Sequence, residues 1–311
     1  MTTAFITHPD CLDHVTPPGH PEQVARLHAI NERLATPEFD ALKYLSAQLA
    51  EGADLLRCHP QTYIDRITNA LPVTGWSSLD GDTHLAPGSL AAARRGVGGN
   101  LLAVDQVIGG AVQNAFVSCR PPGHHAETET AMGFCLFGNV AIAAKYALDH
   151  HGLNRVAIVD FDVHHGNGTQ DLMWDEERVL FISTHQMPLY PGTGAAHERG
   201  AHGNILNVPL SPMSGGSLMR KEYQGQILPA LEEFAPELVL ISAGFDAHAA
   251  DPLAQLNWGV DDFAWATERL SEVAARHAGG RVVSTLEGGY DLQALAASVA
   301  AHVQVLMEQG S

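Results

Sequence analysis

Six short apolar runs in the last two thirds of the chain constrain its fold more than any other feature. They are Ala115–Cys119, Val156–Phe161, Val179–Thr184, Ile205–Val208, Leu238–Ser242 and Val282–Leu286. Most are rich in β-branched residues, and they lack the polar/apolar alternation of a half-exposed strand. That is how strands covered on both faces of a parallel sheet read. Longer segments of helical character lie between and after them: Asn139–His150, Met219–Phe234, Asp261–His277 and Leu292–Met307. This alternation predicts an α/β fold with helices on both faces of the sheet and right-handed crossovers. The chain before residue 110 reads differently. Pro21–Leu34 and Ser89–Ile108 have helical character and are joined by Pro- and Gly-rich loops at Val15–Gly19 and Leu71–Gly88. No linker or repeat divides the sequence, so one domain is expected over residues 1–311.

With 45% hydrophobic and 17% charged residues, the chain carries enough apolar material for a large core, which excludes a disordered protein. The formal charge of −18 repels phosphate backbones and argues against nucleic-acid partners. It favours cationic ones, such as lysine side chains or polyamines, unless it serves solubility alone. Four cysteines, Cys11, Cys58, Cys119 and Cys135, form no C-x-x-C pair and read as reduced thiols of a cytoplasmic protein. The opening MTTAFITHPD lacks the basic and apolar segments of a signal peptide, and no apolar stretch is long enough to span a membrane.

Ligands of open parallel sheets bind beyond the carboxyl ends of the strands, and four of the runs end in polar residues. In Val159–Gly168 (VDFDVHHGNG), Asp160, Asp162 and His164 alternate and are expected to face one side. Asp162 and His164 are placed to share one ion, and Asp246 of SAGFD completes a three-ligand set. Three protein ligands with an open position is the pattern of a catalytic zinc, although two carboxylates also suit Fe(II), Co(II) or Mn(II). A lone Asp here reads as a helix or turn cap; the company of His164 overrides that reading. His165 points the other way and reads as structural. Arg120–Ala126 (RPPGHHA) presents His124 and His125 side by side, a pair able to divide base and acid roles. Asp160 is the natural partner for the far nitrogen of His124, and Asn167 for that of His125. His150 and His151, at a helix end, lack such a setting. In Glu287–Leu292 (EGGYDL) two glycines allow a tight turn with close backbone approach, which places Gly288 among the expected substrate contacts. Tyr290 would then donate to a developing oxyanion.

Taken in order, RPPGHHA, GFCLFGNVAIAA, VDFDVHHGNGT, YPGTG, AGFDAH and EGGYDL resemble the histone deacetylase family over nearly the whole chain, from Phe5 to Leu306. The class II and bacterial deacetylase-like amidohydrolases are the nearer branch, because Asn167 stands where class I members carry Asp. The resemblance implies a three-layer α/β/α domain with a central, mostly parallel eight-stranded sheet, the arginase/deacetylase arrangement. It implies one Zn²⁺ on Asp162, His164 and Asp246, tandem catalytic histidines at His124 and His125, and a carbonyl-polarising tyrosine at Tyr290. It also implies a narrow acyl-lysine tunnel walled by Gly133, Phe134 and Tyr190, with Asp82 as a rim carboxylate. A structural K⁺ is implied near Asp160, Asp162, His164, Ser183 and Thr184, partly through backbone carbonyls.

Three positions depart from the pattern. Gly138 replaces a common Asn, Tyr190 a common Phe, and Leu253 the gate Glu of the polyamine-specific relative. The expected activity is zinc-dependent hydrolysis of an acyl group, acetyl foremost, from a lysine side chain or related amine. An acetylpolyamine or other small acyl-amine is the alternative substrate, and Leu253 counts against a dedicated polyamine enzyme. A two-metal arginase-like ureohydrolase needs further carboxylates, which residues 162–166 and 246–248 lack. A non-catalytic acyl-lysine reader would be expected to have lost a ligand or the tyrosine. Oligomerisation is left open.

Overall fold

All six apolar runs form strands in the computed structural model, which describes residues 2–310. The strands are β1 (Thr3–Thr7), β2 (Lys43–Ser46), β3 (Ser77–Ser78), β4 (His84–Leu85), β5 (Asn114–Val117), β6 (Val156–Asp160), β7 (Val179–Gln186), β8 (Ile205–Leu210), β9 (Leu238–Ala243) and β10 (Val282–Leu286). The α-helices are α1 (Ala25–Leu34), α2 (Gly52–Leu55), α3 (Gln61–Asn69), α4 (Ser89–Ile108), α5 (Asn139–Asp149), α6 (Asn167–Met173), α7 (Gly216–Glu222), α8 (Leu228–Phe234), α9 (Val260–His277) and α10 (Leu292–Gln309). β3 and β4 make a small antiparallel hairpin. The other eight strands form one sheet in the order β2-β1-β5-β10-β9-β6-β7-β8. Every neighbouring pair is parallel, so the sheet is wholly rather than mostly parallel.

Burial explains the missing alternation. Every residue of β5, β6, β7, β9 and β10 is buried. Each Val, Ile, Leu or Phe so placed contributes about 1.5–3 kcal/mol relative to exposure. Helices α1, α9 and α10 pack together, and α4 packs with α5, covering the sheet. Beneath the carboxyl ends of the central strands, Phe161, Phe245, Phe263 and His302 cluster with ring centroids 5.3–6.0 Å apart. The Thr267 hydroxyl donates to the Phe263 carbonyl (2.7 Å) and therefore accepts from His302 Nδ1–H (2.7 Å). His302 Nε2 is left to accept from the Ser284 hydroxyl (2.8 Å). This histidine is neutral, and burial pushes its pKa down to about 3.

Some elements differ from the sequence expectation. β1 and β2 were not foreseen: β1 is five residues at the chain start, and β2 is an edge strand alternating half-buried with exposed residues. Helix α1 begins only at Ala25, because Pro21–Gln23 remain a loop. The segment expected as one helix over Met219–Phe234 is continuously helical, but its α7 and α8 parts are joined by a π-helical turn at Tyr223–Ile227. Pro229, in the first turn of α8, lacks the N–H that a regular α-helical bond needs there. All four cysteines are free and buried. Among the described residues no helix is long and apolar enough to cross a membrane.

Candidate active site

Strand β6 ends at Asp160, so alternation cannot orient Asp162 and His164 as the sequence reading supposed. Carboxylate-capped turns do so instead. Asp160 Oδ1 accepts from the Asp162 N–H (3.0 Å), and Asp162 Oδ1 from the His164 N–H (2.9 Å). Asp246, beyond β9, is held by the Val163 N–H on Oδ1 (2.9 Å). The chain thereby brings Asp162 Oδ1 and Asp246 Oδ2 to 3.1 and 3.2 Å from His164 Nδ1. All three residues are buried, and their donor atoms lie within 4.8 Å of one another. Burial works against a charged imidazole, but the two carboxylates hold the His164 pKa up, to about 10. Two buried carboxylates converging on one ring nitrogen form a donor set that suits a small divalent cation in place of that proton.

Gly288, expected as a substrate contact, packs against this set. Its N–H donates to Asp162 Oδ2 (2.8 Å), and it does not line the cavity described below. A Cβ there would stand 2.2 Å from Asp246 Oδ2 and 2.5 Å from Asp162 Oδ2, so the carboxylates leave room only for glycine.

His124 and His125 lie with ring centroids 4.0 Å apart, but their far nitrogens meet different partners. His124 Nδ1 is 2.9 Å from Asp160 Oδ2, and His125 Nδ1 is 2.7 Å from Asn167 Oδ1. The Asn167 amide is oriented by its own bond to Glu127 Oε1 (2.8 Å), so its carbonyl accepts from His125 Nδ1–H. Nε2 of His125 is therefore the unprotonated nitrogen. Burial opposes charge on both rings. For His124 the Asp162 and Asp160 carboxylates overcome it and raise the pKa well above the ordinary histidine value. For His125, burial together with the positive charge of His124 and His164 lowers it well below. His165 turns away, to Thr193 Oγ1 (2.8 Å) and Gln170 Oε1 (3.0 Å), and packs on His185. Ser183 and Thr184 are buried in β7, next to Asp160 of β6, and Ser183 Oγ bonds His185 Nδ1 (3.0 Å).

His125, His164 and Tyr290 open into a cavity of about 350 Å³. Its walls include Gly133, Phe134, Tyr190, Asp82 and Leu253, all singled out in the sequence, and also His20, Pro21 and Leu189. Gly133 has φ +55°, and a Cβ would meet the His125 ring at 2.3 Å. Phe134 also has positive φ, a costly conformation for a phenylalanine that turns its ring toward the cavity, 5.9 Å from Tyr290. Tyr190 sets its edge on His125 at 5.2 Å. Burial and the Asp246 charge push the Tyr290 phenol well above its ordinary pKa, so it keeps its proton.

Sequence reasoning missed the residues that hold these parts in register. Glu287 Oε2 accepts from the Gly123 and His124 N–H groups (2.7 and 3.2 Å), tying the EGGY turn to the histidine loop. Arg26 donates to the carbonyls of Gly289 (2.7 Å) and Glu287 (2.5 Å) and lies 5.0 Å from the Tyr290 ring centroid. Glu22 joins Arg26 to Arg120, and all three are fully buried. In sequence, Glu22 and Arg26 were given no role, both lying within the helix expected over Pro21–Leu34. His151 and Asp105, whose Nε2 and Oδ1 are 2.8 Å apart, form with His150 a separate, partly exposed group at the ends of α4 and α5.

Comparison with known proteins agrees with this geometry. A family model described as histone deacetylase domain matches residues 20–306. The chain is 42% identical to the histone deacetylase-like amidohydrolase of Pseudomonas aeruginosa over 89% of its length and 74% of that protein's. It is 37% identical to a probable deacetylase of Archaeoglobus fulgidus over 94% of its length and 82% of that protein's. Among solved structures, the HDA15 HD domain superposes with a TM-score of 0.94 at 35% identity, covering 99% of this chain and 90% of that one. The matched span includes every residue that lines the cavity, and the chain belongs to the histone deacetylase family.

Proposed function

We propose that this deacetylase-family hydrolase is a zinc-dependent amidohydrolase that removes an acyl group, acetyl foremost, from a lysine side chain or a related amine. The observation that carries the reading is the convergence of Asp162, His164 and Asp246 on one point, beside a neutral His125 and a protonated Tyr290. Asp162, His164 and Asp246 would hold the ion. When bound, a divalent ion supplies Lewis-acid polarisation and lowers the pKa of the attacking water.

The protein groups divide the remaining work. His125 Nε2 takes a proton from the water as its oxygen bonds to the carbonyl carbon. The Tyr290 hydroxyl donates to the carbonyl oxygen as that atom becomes anionic. Protonated His125 then passes its proton to the leaving nitrogen as the C–N bond breaks, giving a carboxylic acid and a free amine. His124, held charged by Asp160, adds positive potential where negative charge develops and keeps His125 from protonating early.

The cavity supports a slender substrate. Pro21, Phe134, Leu189 and Leu253 give it apolar walls suited to a methylene stem, and Asp82 puts an acidic group at the lining. Leu253 offers no carboxylate to a distant ammonium, which favours acyl-lysine over acetylpolyamine. The test is turnover by zinc-loaded protein on acetyl-lysine peptides, longer acyl-lysine peptides and acetylated polyamines. Acetyl-lysine peptides are expected to give the highest kcat/KM. Preference for a polyamine would overturn the substrate assignment, and no zinc-dependent turnover on any of them would overturn the reaction.

A further inference from the structure

The position of Tyr290 is not fixed by its own backbone. It follows Gly288 and Gly289, the second at φ +118°, two residues that leave the chain many alternatives. External bonds fix it instead. Asp162 accepts from the Gly288 N–H, and Arg26 donates to the Gly289 carbonyl. Tyr290's own N–H donates to Asp251 Oδ2 at 2.7 Å. The other oxygen of the same carboxylate, Oδ1, accepts from the Leu253 N–H at 3.0 Å. Asp251 is itself held in the loop after β9 by donation from its N–H to the His248 carbonyl (2.9 Å). It is only 8% exposed and is not part of the cavity lining. A buried carboxylate is costly unless its oxygens are satisfied. Besides the Asp291 N–H, the groups these oxygens meet belong to Tyr290 and Leu253, which do line the cavity.

We infer that Asp251 is a positioning residue: its carboxylate sets Tyr290 for the reaction and ties that setting to the cavity wall at Leu253. The inference rests on the functional reading above, in which the Tyr290 hydroxyl acts on the carbonyl oxygen. Asp251→Asn nearly preserves shape but offers one acceptor where N–H groups meet both oxygens, so one bond is lost and an NH₂ is set against an N–H. A displacement of that kind near reacting groups costs about 10- to 100-fold in rate.

The test is a double-mutant cycle with Tyr290→Phe, measured on the zinc-loaded protein with its best acyl-lysine peptide. Asp251→Asn alone is expected to lower kcat by about 10- to 100-fold with KM changed less than about 3-fold and the bound ion retained. In the Tyr290→Phe background, with no hydroxyl left to misplace, the same change should cost less than about 2-fold. A purely structural Asp251 would cost the same factor in both backgrounds, and that result, or an unchanged kcat in the single variant, overturns the proposal. Should Asp251→Asn not fold, Asp251→Glu keeps both acceptors but shifts them by one methylene, and the same cycle applies. A wild type without zinc-dependent turnover would instead remove the functional reading, and this inference with it.

Discussion

The floor of the cavity and its rim are built by different means. On the floor, Asp162, His164, Asp246, His124 and His125 lie just beyond buried parallel strands. Backbone N–H groups fix the Asp162 and Asp246 carboxylates, and hydrogen-bond partners fix both histidine rings. At the rim, His20 and Pro21 come from a loop ahead of α1, Asp82 from the turn between β3 and β4, and Phe134 from the loop before α5. Cross-contacts join these pieces: His20 Nε2 bonds the Asp82 carbonyl at 2.9 Å, and its ring meets Phe134 at 4.7 Å. The lesson is a division of labour. On the function proposed above, a floor locked to the sheet would set the rate of the chemistry, and a rim assembled from loops would set which substrate reaches it.

The largest test of that division is Asp246→Asn. The amide removes one negative charge from the donor set and has one fewer lone-pair oxygen for an ion. The variant is expected to retain no divalent ion and to turn over no faster than buffer, read by elemental analysis alongside a turnover assay. One ion bound at wild-type strength would move the metal site elsewhere. Tyr290→Phe comes next. It should keep its ion and lose about 10²–10³-fold in kcat, the usual effect of deleting one oxyanion donor. A fall in metal content with the phenol would show that floor and turn are not separable.

This difference also decides what was legible in the sequence. Strands β5, β6, β7, β9 and β10 announced themselves because burial on both faces leaves unbroken apolar runs, and the polar residues at their ends could only be aimed at one edge of the sheet. Asp160 with His124 and Asn167 with His125 were readable as pairs for the same reason. Edge strand β2 was not readable, because its outer residues need only tolerate water. Glu22, Arg26 and Glu287 were given no role for a different cause. The role of each depends on partners distant in sequence, 98 residues apart for Glu22 and Arg120 and 263 for Arg26 and Gly289. His20 was assigned no role in the sequence, being one histidine among 18.

A smaller effect probes what lies under the floor. His302 is neutral in the fold, with a pKa pushed down to about 3 by burial, whereas an unfolded histidine titrates near about 6.5. The unfolded chain therefore binds a proton that the native state refuses as pH drops below about 6.5. The stability this residue supports is complete above that value and falls through the window down to about 3, by up to about 1.4 kcal/mol per pH unit. His302→Gln should flatten the decline in denaturant midpoint between pH 6.5 and 4, measured by circular dichroism, though its stability at pH 7 is lower. An equal slope in both proteins would place the acid sensitivity in other buried histidines. His59 is the first of these: its Nε2 accepts from the Gly138 N–H at 3.0 Å, and burial lowers its pKa to about 4.

The smallest effect belongs to the rim. Asp82 is partly exposed, and burial together with the neighbouring Asp80 raises its pKa, so its carboxylate gains from a cationic partner. Exposed ion pairs are worth about 0.2–1 kcal/mol, at most about 5-fold in affinity. Asp82→Ala should therefore raise KM for a lysine-rich acyl-peptide by no more than that factor, leave kcat alone, and lose its effect as salt is added. The same substitution should leave KM for an uncharged acyl-peptide unchanged. A fall in kcat comparable to that of Tyr290→Phe would mean that the rim takes part in the chemistry, since a residue acting only on encounter has no way to slow the bound complex.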